Sequence, residues 1–472
     1  MRALTRLQSR RGQQGQIVIL TGLTLIVLIG ALGLAVDAGR AYGVKARLSA
    51  AVDAASIAAA RALAQEGEND EARVANARAA AVRFFNLNYP VDFLASTPSA
   101  PVTTAVHVES GLQSGGWIVS VSATAEMPTT FMRVLGRTKV DIAALGETFR
   151  RDLDVVLVMD TSGSLCQDKD GAALPDSPNC ENFVKLKEAA TNYFIDKFNS
   201  GENGERLGLV SFASGAKDEV LIRTEARGFA VGDVRTKIVD LRAEGPTASA
   251  EGMLKALIQL KSVTNPSSLR VILFFSDGEP TAINGTFPLT ITGGAVKGNL
   301  DASWVERSKP TKVYPDDLRN APPIVYPGEE LDLPTNIQEL PSEGSGTVPL
   351  GGPRNLTGSP YENTTCNVKK AARNMVEYVA NLARTKPAGG DVSPIHVYTI
   401  GLGDKLKTTD VSCFDAAANE EGFKVLKRLA NTTDSSTFNA GQPAGLYCHA
   451  AEVNELKECF SRIASEILRL TL

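Results

Sequence analysis

Hydrophobic residues follow three different patterns along the 472-residue chain. Near the N-terminus, an uncharged and mostly apolar run of 20 residues, IVILTGLTLIVLIGALGLAV, extends from Ile17 to Val36. Between residues 102 and 149, apolar and polar positions alternate, as in strands with one buried face. From residue 152 onward, short apolar runs alternate with stretches of helical spacing. These patterns predict a transmembrane helix, a small β-rich segment and an α/β domain.

The N-terminal run has about the length that a helix needs to cross the bilayer core. Four arginines and no acidic residue precede it. Because positive residues stay on the cytoplasmic side, we predict a single pass through the cytoplasmic (inner) membrane. The N-terminus would lie in the cytoplasm and the bulk of the chain in the periplasm or outside the cell. A cleaved signal peptide and a buried helix of a soluble protein are the alternatives.

Residues 66–150 are predicted to form a spacer that carries no chemistry. A helix over residues 72–90 should end at Pro90, and WIVSVSATAEM is the clearest strand, with Ile118, Val119 and Val121 in the core. We expect these elements to form a helix packed on a small antiparallel sheet, whose strands are Val102–Glu109, Gly116–Glu126 and Thr138–Phe149.

Uninterrupted apolar runs after residue 151 are typical of parallel strands buried on both faces. The clearest is VVLVM, within DLDVVLVMD at residues 152–160, and further strands of this kind are LGLVSF at 207–212, VILFF at 271–275 and IHVYTI at 395–400. Helical stretches lie between them at Phe183–Phe198 and Ser249–Lys261. This alternation predicts an α/β domain over residues 151–472, built on a doubly wound, mostly parallel sheet. A proline-rich insertion interrupts it at about residues 280–365, since 12 of the 23 prolines fall between Pro280 and Pro360. The insertion is either a cap that selects the binding partner or a mobile surface segment without a role in binding.

Oxygen-bearing side chains follow these strands, at the edge where open α/β sheets bind ligands. Asp160, Ser162 and Ser164 lie in DTSGS, Thr247 lies in EGPTAS and Asp277 lies in SDGEP. Hard oxygen donors on loops suit Mg²⁺, with Ca²⁺ or Mn²⁺ as alternatives. Three neutral hydroxyls and only two carboxylates would leave the ion under-neutralised. A coordination position would then be open to an Asp or Glu carboxylate of a protein partner.

This set resembles the metal-ion-dependent adhesion site (MIDAS) of von Willebrand factor A (VWA) domains. The resemblance implies that Ser162, Ser164 and Thr247 supply hydroxyl oxygens. It also implies that Asp160 and Asp277 coordinate the ion directly or through water. Pro246 departs from the family, which often has glycine before the threonine, and this puts the distance of the Thr247 hydroxyl in doubt.

A second resemblance covers about residues 11–65. The run RGQQGQIVILTGLTLIVLIGALGLAVDAGRAY, followed by LSAAVDAASIAAARALA, resembles the N-terminal segment of TadE/TadG-like Flp pilus-assembly proteins. Residues 1–65 are therefore predicted to form a basic cytoplasmic tip, the transmembrane helix and an Ala-rich helix. Together the two resemblances imply a TadG-like protein that assembles or anchors Flp/Tad pili and contributes to adhesion, with other pilus-assembly components as partners.

The composition and the absence of certain motifs argue against several classes of function. The net charge of −4 offers no basic field for nucleic acid, and the three histidines lack zinc-ligand spacing. Six cysteines without a CxxC pair favour disulfides, and Cys166 with Cys180 is the predicted pair among 15 possible full pairings, with free thiols as the alternative. No GxxxxGK[ST] or GxSxG motif is present, so we predict a binding protein and not an enzyme. A structural minor pilin-like subunit and a metal-dependent hydrolase are the rival functions.

Overall fold

The computed structural model divides the chain into two compact units. The described residues of the first lie within Met1–Leu63, Glu71–Val106 and Ile118–Phe149, and those of the second lie within Ala64–Asp70, His107–Trp117 and Arg150–Leu472. The structure describes residues 14–63, 70–108, 115–168, 172–198, 200–201, 204–289, 291–302, 311–314, 324–326, 331–338, 347–358, 361–386, 393–409, 413 and 419–471. The four N-terminal arginines and the predicted strand end at Glu109 lie outside these residues.

The first unit contains two helices and a four-stranded sheet. The helices are α1 (Gln14–Ala62) and α2 (Asp70–Asn88), and the strands are β1 (Thr97–Pro98), β2 (Val102–Val108), β3 (Gly116–Pro128) and β4 (Lys139–Arg151). Strand β3 pairs with β1, β2 and β4, and its pairing with β1 is antiparallel. The predicted helix ending before Pro90 and the three predicted strands are thus present, with ends shifted by a few residues.

The side chains of helix α1 are mostly exposed in its first part and often buried in its later part. The side chains of Ile17–Val36 are almost all exposed, whereas Val44, Leu48 and Val52 are buried. The later part packs on β4, where a Cβ built on Gly146 would lie 2.9 Å from the carbonyl oxygen of Val52. Among the described residues, this is the one helix that is long and apolar enough to cross a membrane. The predicted N-terminal apolar helix is confirmed.

One core prediction in β3 is wrong. Val119 and Val121 are buried, but Ile118 is only half-buried and Trp117 takes the core position. Successive strand residues point to opposite faces of a sheet, so Ile118 cannot share the face of its neighbour Val119.

The second unit is built on a six-stranded sheet. Its strands are β5 (Leu153–Asp160), β6 (Arg206–Phe212), β7 (Ala216–Val220), β8 (Leu269–Ser276), β15 (Ile395–Leu402) and β16 (Tyr447–Ala450). They lie in the order β16-β15-β8-β5-β6-β7. Only the edge strand β7 is antiparallel to its neighbour, while the other pairs are parallel. This confirms the predicted mostly parallel α/β sheet.

Helices cover both faces of this sheet. They are α3 (Glu181–Tyr193), α4 (Val231–Asp240), α5 (Ser249–Lys261), α6 (Thr365–Arg384), α7 (Gly422–Leu429) and α8 (Leu456–Leu470). Val156 and Val158 of the central strand share a core with α5, α6 and α7. Val155, Leu157 and Met159 point the other way and share a core with α3, α4 and α8. Burial on both faces explains why β5 has no polar position between Val155 and Met159.

The insertion after β8 contains short hairpins that the sequence did not predict. Strands β9 (Ala282–Pro288) and β10 (Ala295–Asp301), β11 (Thr311–Val313) and β12 (Ile324–Tyr326), and β13 (Asn336–Gln338) and β14 (Thr347–Pro349) form three antiparallel pairs. Several of their apolar side chains, including Ile283, Phe287 and Ile337, belong to the core shared with α5 and α6. The described part of the insertion is therefore packed into the fold.

Three disulfides cross-link the second unit: Cys166–Cys180, Cys366–Cys413 and Cys448–Cys459. The first confirms the predicted pair, and no free cysteine remains. Cys166 ends the turn Gly163–Cys166 that follows β5, and Cys180 immediately precedes α3. The bond therefore ties the DTSGS loop to a helix.

Candidate metal site

Asp160 lies at the C-terminal end of the central strand β5 and joins two loops. Its Oδ1 accepts a hydrogen bond from the backbone N–H of Ser162 at 2.8 Å. Its Oδ2 accepts one from the Ser276 hydroxyl at 2.6 Å. Ser276 is the last residue of β8, the neighbouring strand. Asp160 therefore shapes the DTSGS turn and fixes it to the end of β8.

A chain of oxygen atoms continues from this turn to Asp277. The hydroxyls of Ser162 and Ser164 lie 3.0 Å apart, and the Ser164 hydroxyl donates to Asp277 Oδ1 at 2.9 Å. Ser162 and Asp277 are buried, while Ser164 is half-buried. The four predicted residues on β5, β8 and their loops are thus in one cluster.

Thr247 comes from a third loop and borders the same cluster. A Cβ built on Gly278 would lie 3.7 Å from the Ser164 hydroxyl oxygen and 3.9 Å from that of Thr247, so the two hydroxyls face the same small space. The Thr247 carbonyl accepts the N–H of Thr281 at 3.1 Å. Despite Pro246, the loop brings Thr247 to the predicted position. All five residues converge, while their role as metal ligands stays a prediction.

A hydrogen bond from the turn after β5 also holds the loop that carries Thr247. The N–H of Gly163 donates to the carbonyl of Gly245 at 2.8 Å. Gly245 has a φ of +87°, a backbone conformation that strongly favours glycine. The glycine therefore allows the turn that carries Thr247 past the DTSGS loop.

Two buried carboxylates make the cluster electrostatically costly without a cation. Burial raises the pKa of Asp160, although hydrogen bonds from Ser276 and Ser162 oppose the shift. Burial also raises the pKa of Asp277, and the charge of Asp160 raises it further, against the opposing Ser164 hydrogen bond and the Lys405 charge. A bound cation would stabilise both charged forms. In the described chain no group of three or more His, Cys, Asp or Glu could hold a metal, so a cation here would depend on hydroxyl oxygens.

Sequence reasoning missed three supporting residues. Ser276 orients Asp160, Gly278 leaves room for the two hydroxyls, and the Thr281 hydroxyl accepts the Thr247 N–H at 3.2 Å. Ser276 and Gly278 flank Asp277 in SDGEP, so the motif contained a signal for both. The role of Thr281 depends on a contact between distant loops.

A cavity of about 430 Å³ adjoins the cluster. Ser164 and Asp277 line it together with residues from α3 and from the loops after β15 and β16. Its charged lining side chains are Asp168, Lys185, Asp404, Lys405 and Glu452. Two of the five predicted metal ligands therefore border a recess large enough for a partner's side chain.

The sheet, its helices and the strand-end cluster define a VWA domain. Residues 155–279 match the family model described as von Willebrand factor type A domain. Residues 15–62 match the model described as putative Flp pilus-assembly TadE/G-like. The chain thus combines a TadE/G-like N-terminal segment with a VWA domain, as both sequence resemblances implied.

Solved structures with a similar chain course include several pilus proteins. The PilB minor pilin from Streptococcus sanguinis is 14% identical, with a TM-score of 0.37 and coverage of 79% of this chain and 79% of that chain. The vWF domain of the type V pili tip protein Mfa5 from Porphyromonas gingivalis is 16% identical, with a TM-score of 0.34 and coverage of 68% and 97%. At these TM-scores the likeness carries no conclusion about function. No curated protein matches the chain.

Proposed function

We propose that this protein is a membrane-anchored, MIDAS-type binding module that assembles or anchors Flp/Tad pili and contributes to adhesion. The main support is the convergence of Asp160, Ser162, Ser164, Thr247 and Asp277 at one sheet edge. The TadE/G-like match over residues 15–62 supports the pilus context. The apolar run of α1 supports a membrane anchor, with the chain after Val36 outside the cytoplasm.

The spacing of the oxygen atoms fits a small divalent cation. Neighbouring ligands of an octahedral Mg²⁺ ion, each about 2.1 Å from the ion, lie about 3 Å apart. The Ser162–Ser164 and Ser164–Asp277 oxygen pairs are 3.0 and 2.9 Å apart, distances that also suit their hydrogen bonds. Each oxygen of Asp160 accepts one hydrogen bond and keeps a further lone pair, so Asp160 would coordinate directly or through water. Ser162, Ser164, Thr247 and Asp277 would contact Mg²⁺, or Ca²⁺ or Mn²⁺ in its place.

The partner would be a protein that offers an Asp or Glu side chain. Two carboxylates formally balance the charge of a divalent cation, and the neutral hydroxyls add none. Five side-chain donors would leave one position of an octahedral ion open to such an oxygen. The adjoining cavity could receive the acidic side chain and its neighbours. We propose binding and not hydrolysis, because no histidine is among the described residues that line this cavity.

Cation binding by the full-length chain in lipid nanodiscs tests the proposal. Titration with Mn²⁺ in a calorimeter should give one site, and Ser162→Ala should weaken it at least tenfold. Ser262→Ala is the matched control, because Ser262 follows the end of α5 that is remote from Thr247. Both variants should keep the melting temperature within a few degrees. Equal Mn²⁺ affinity in the two variants would refute the metal site.

The partner is tested by a pull-down from solubilised membranes, run in Mg²⁺ and then in chelator. Components of the pilus system should be retained in Mg²⁺ and released by chelator. Ser162→Ala should retain none, and Ser262→Ala should behave as the parent chain. Retention that is indifferent to chelator would contradict metal-dependent binding and leave a structural pilus subunit as the better description.

A further inference from the structure

The loop between β3 and β4 exposes large apolar side chains at adjacent positions. Phe131, Val134 and Leu135 are 43%, 89% and 69% exposed. They belong to the segment Thr130–Arg137, called here the 130–137 loop, which contains the short turn Met132–Leu135. Clustered apolar side chains of this size on a surface mark a contact with a membrane or with another protein.

The 130–137 loop is fixed to α1 immediately after the apolar run. The Asp37 carboxylate, only 1% exposed, accepts the backbone N–H groups of Thr130, Phe131 and Met132 at 3.0, 2.8 and 2.8 Å. Arg40 donates to the Thr130 hydroxyl at 2.9 Å. Three charge-assisted hydrogen bonds to one carboxylate hold the backbone of the loop in a defined position on the helix.

Phe131 extends from this attachment back toward the apolar run. A Cβ built on Gly33 would lie 2.5 Å from Cγ of Phe131, so the ring lies directly against the helix at that residue. Gly33 is one helical turn before Asp37 and inside the run Ile17–Val36. The loop therefore reaches alongside the outer end of the segment that would lie in the bilayer.

We propose that the 130–137 loop inserts its apolar side chains into the interfacial layer of the same bilayer that α1 crosses. Its apolar surface is continuous with the exposed apolar surface of α1 at Gly33. Arg133 and Arg137 are exposed in the same loop and would meet anionic phospholipid headgroups. Apolar side chains flanked by basic residues are the composition of interfacial membrane contacts.

This second contact would restrict how the first unit stands on the membrane. A single transmembrane helix can tilt and rotate about its axis, and its orientation is set by its packing and its interfacial anchors. With the loop inserted, the face of α1 that carries Gly33 and Asp37 is fixed relative to the bilayer surface. The inference rests on the proposed membrane anchor and goes beyond it.

Depth-dependent quenching of tryptophan fluorescence tests the inference on the full-length chain. The chain is reconstituted in phosphatidylethanolamine and phosphatidylglycerol vesicles, with and without brominated acyl chains. Three variants are compared with the parent, which contains two tryptophans. Val134→Trp probes the loop, and Leu28→Trp probes the apolar run. Leu145→Trp is the control, because Leu145 is 66% exposed on β4 beside Gly146, which packs on α1 at Val52, about 30 Å beyond Gly33.

Quenching of the added fluorescence at Val134→Trp and Leu28→Trp, at least twice that at Leu145→Trp, would support the inference. Quenching at Leu28→Trp with none above the control at Val134→Trp would overturn it, and the loop would then be a protein-contact surface. Absence of quenching at Leu28→Trp would refute the membrane anchor itself, and the loop insertion with it.

Discussion

The Ser164 hydroxyl donates a hydrogen bond to Oδ1 of Asp277 at 2.9 Å, although the two residues are 113 positions apart. The contact connects the loop after β5 with the loop after β8. These strands are neighbours in the sheet, so their parallel pairing brings both loops to one edge. The candidate site is therefore a product of strand order, and changes in either loop should alter cation affinity with little effect on the sheet.

Asp277→Asn should make the metal-free protein more stable and should abolish cation binding. Asp277 is buried near a second carboxylate, so in the folded chain it must either carry a charge there or take up a proton, and a neutral amide avoids both costs. In chelator we expect unfolding to cost about 1–2 kcal/mol more than in the parent, while the amide oxygen still accepts the Ser164 hydrogen bond. Mn²⁺ should no longer raise the melting temperature. Thermal melts in chelator and in Mn²⁺ measure both effects, and a variant less stable than the parent in chelator would contradict the charge argument.

The raised pKa values of Asp160 and Asp277 predict that the metal-free protein becomes less stable as the pH rises. Burial raises both values above the 3.8 of an ordinary carboxyl, so the folded chain holds protons that the unfolded chain has released. Stability from these groups is therefore lost as pH rises through their folded pKa values. In chelator, the melting temperature of the parent should fall more between pH 5.5 and pH 8 than that of Asp277→Asn. Mg²⁺ should reduce this difference, because cation and protons compete for the same oxygens.

Removing the Cys166–Cys180 disulfide should weaken cation binding as well as stability. The bond spans 14 positions and ties the DTSGS turn to the start of α3. Replacing both cysteines with alanine should cost about 3 kcal/mol of unfolding free energy and lower Mn²⁺ affinity, because the turn gains freedom. Replacing Cys448 and Cys459 is the control, since that bond spans 11 positions between β16 and α8. Similar losses of Mn²⁺ affinity in both variants would show that the turn does not depend on its own disulfide.

Glu420→Gln should loosen the insertion from the α/β domain. Burial alone would raise the pKa of Glu420, but hydrogen bonds from Arg428 and Arg354 lower it to about 2. Arg354 lies in the insertion, so the pair connects it with the segment before α7. We expect a loss of about 1 kcal/mol at pH 7, allowing for solvent screening of a partly exposed group, and faster proteolysis of the insertion.

The pH dependence of this effect has a defined sign. A lowered carboxyl pKa gives stability that is present above the ordinary value of 4.5 and is lost as pH falls toward about 2. Urea unfolding of Glu420→Gln and the parent should therefore converge in acid. Glu421→Gln is the matched control, because Glu421 pairs only with the exposed side chain of Lys424 among its described ion pairs. An equal loss in the control would count against the insertion contact.

The buried parallel strands could be predicted because burial on both faces leaves a continuous apolar run. Helix α5 also matched its predicted bounds, Ser249–Lys261, since its periodicity is regular. Strand β7, with the sequence AKDEV, gave no such signal, because an edge strand tolerates polar residues. The three-residue strands of the insertion are too short to show a period, and they are defined by their antiparallel pairing with one another.

The candidate site was predictable as a set of oxygen donors but not as a geometry. Motifs at strand ends indicated the five predicted ligands, because parallel strands all end at one edge. The hydrogen bond from Ser276 to Asp160 and the packing of Thr247 beside Gly278 depend on loops that are far apart in sequence. Of the disulfides, Cys166–Cys180 was predicted from its short loop, whereas Cys448–Cys459 closes a still shorter loop and was not predicted. Cys366–Cys413 depends on where α6 begins relative to the loop after β15.

All six cysteines lie in the second unit, and all are paired, while the segments that form the first unit contain none. The first unit therefore needs no oxidant to fold. With export as proposed, the three bonds of the second unit would form only where thiols are oxidised. Copies retained in a reducing cytosol would lack the bond that ties the DTSGS turn to a helix, so the proposed cation affinity would develop only after export.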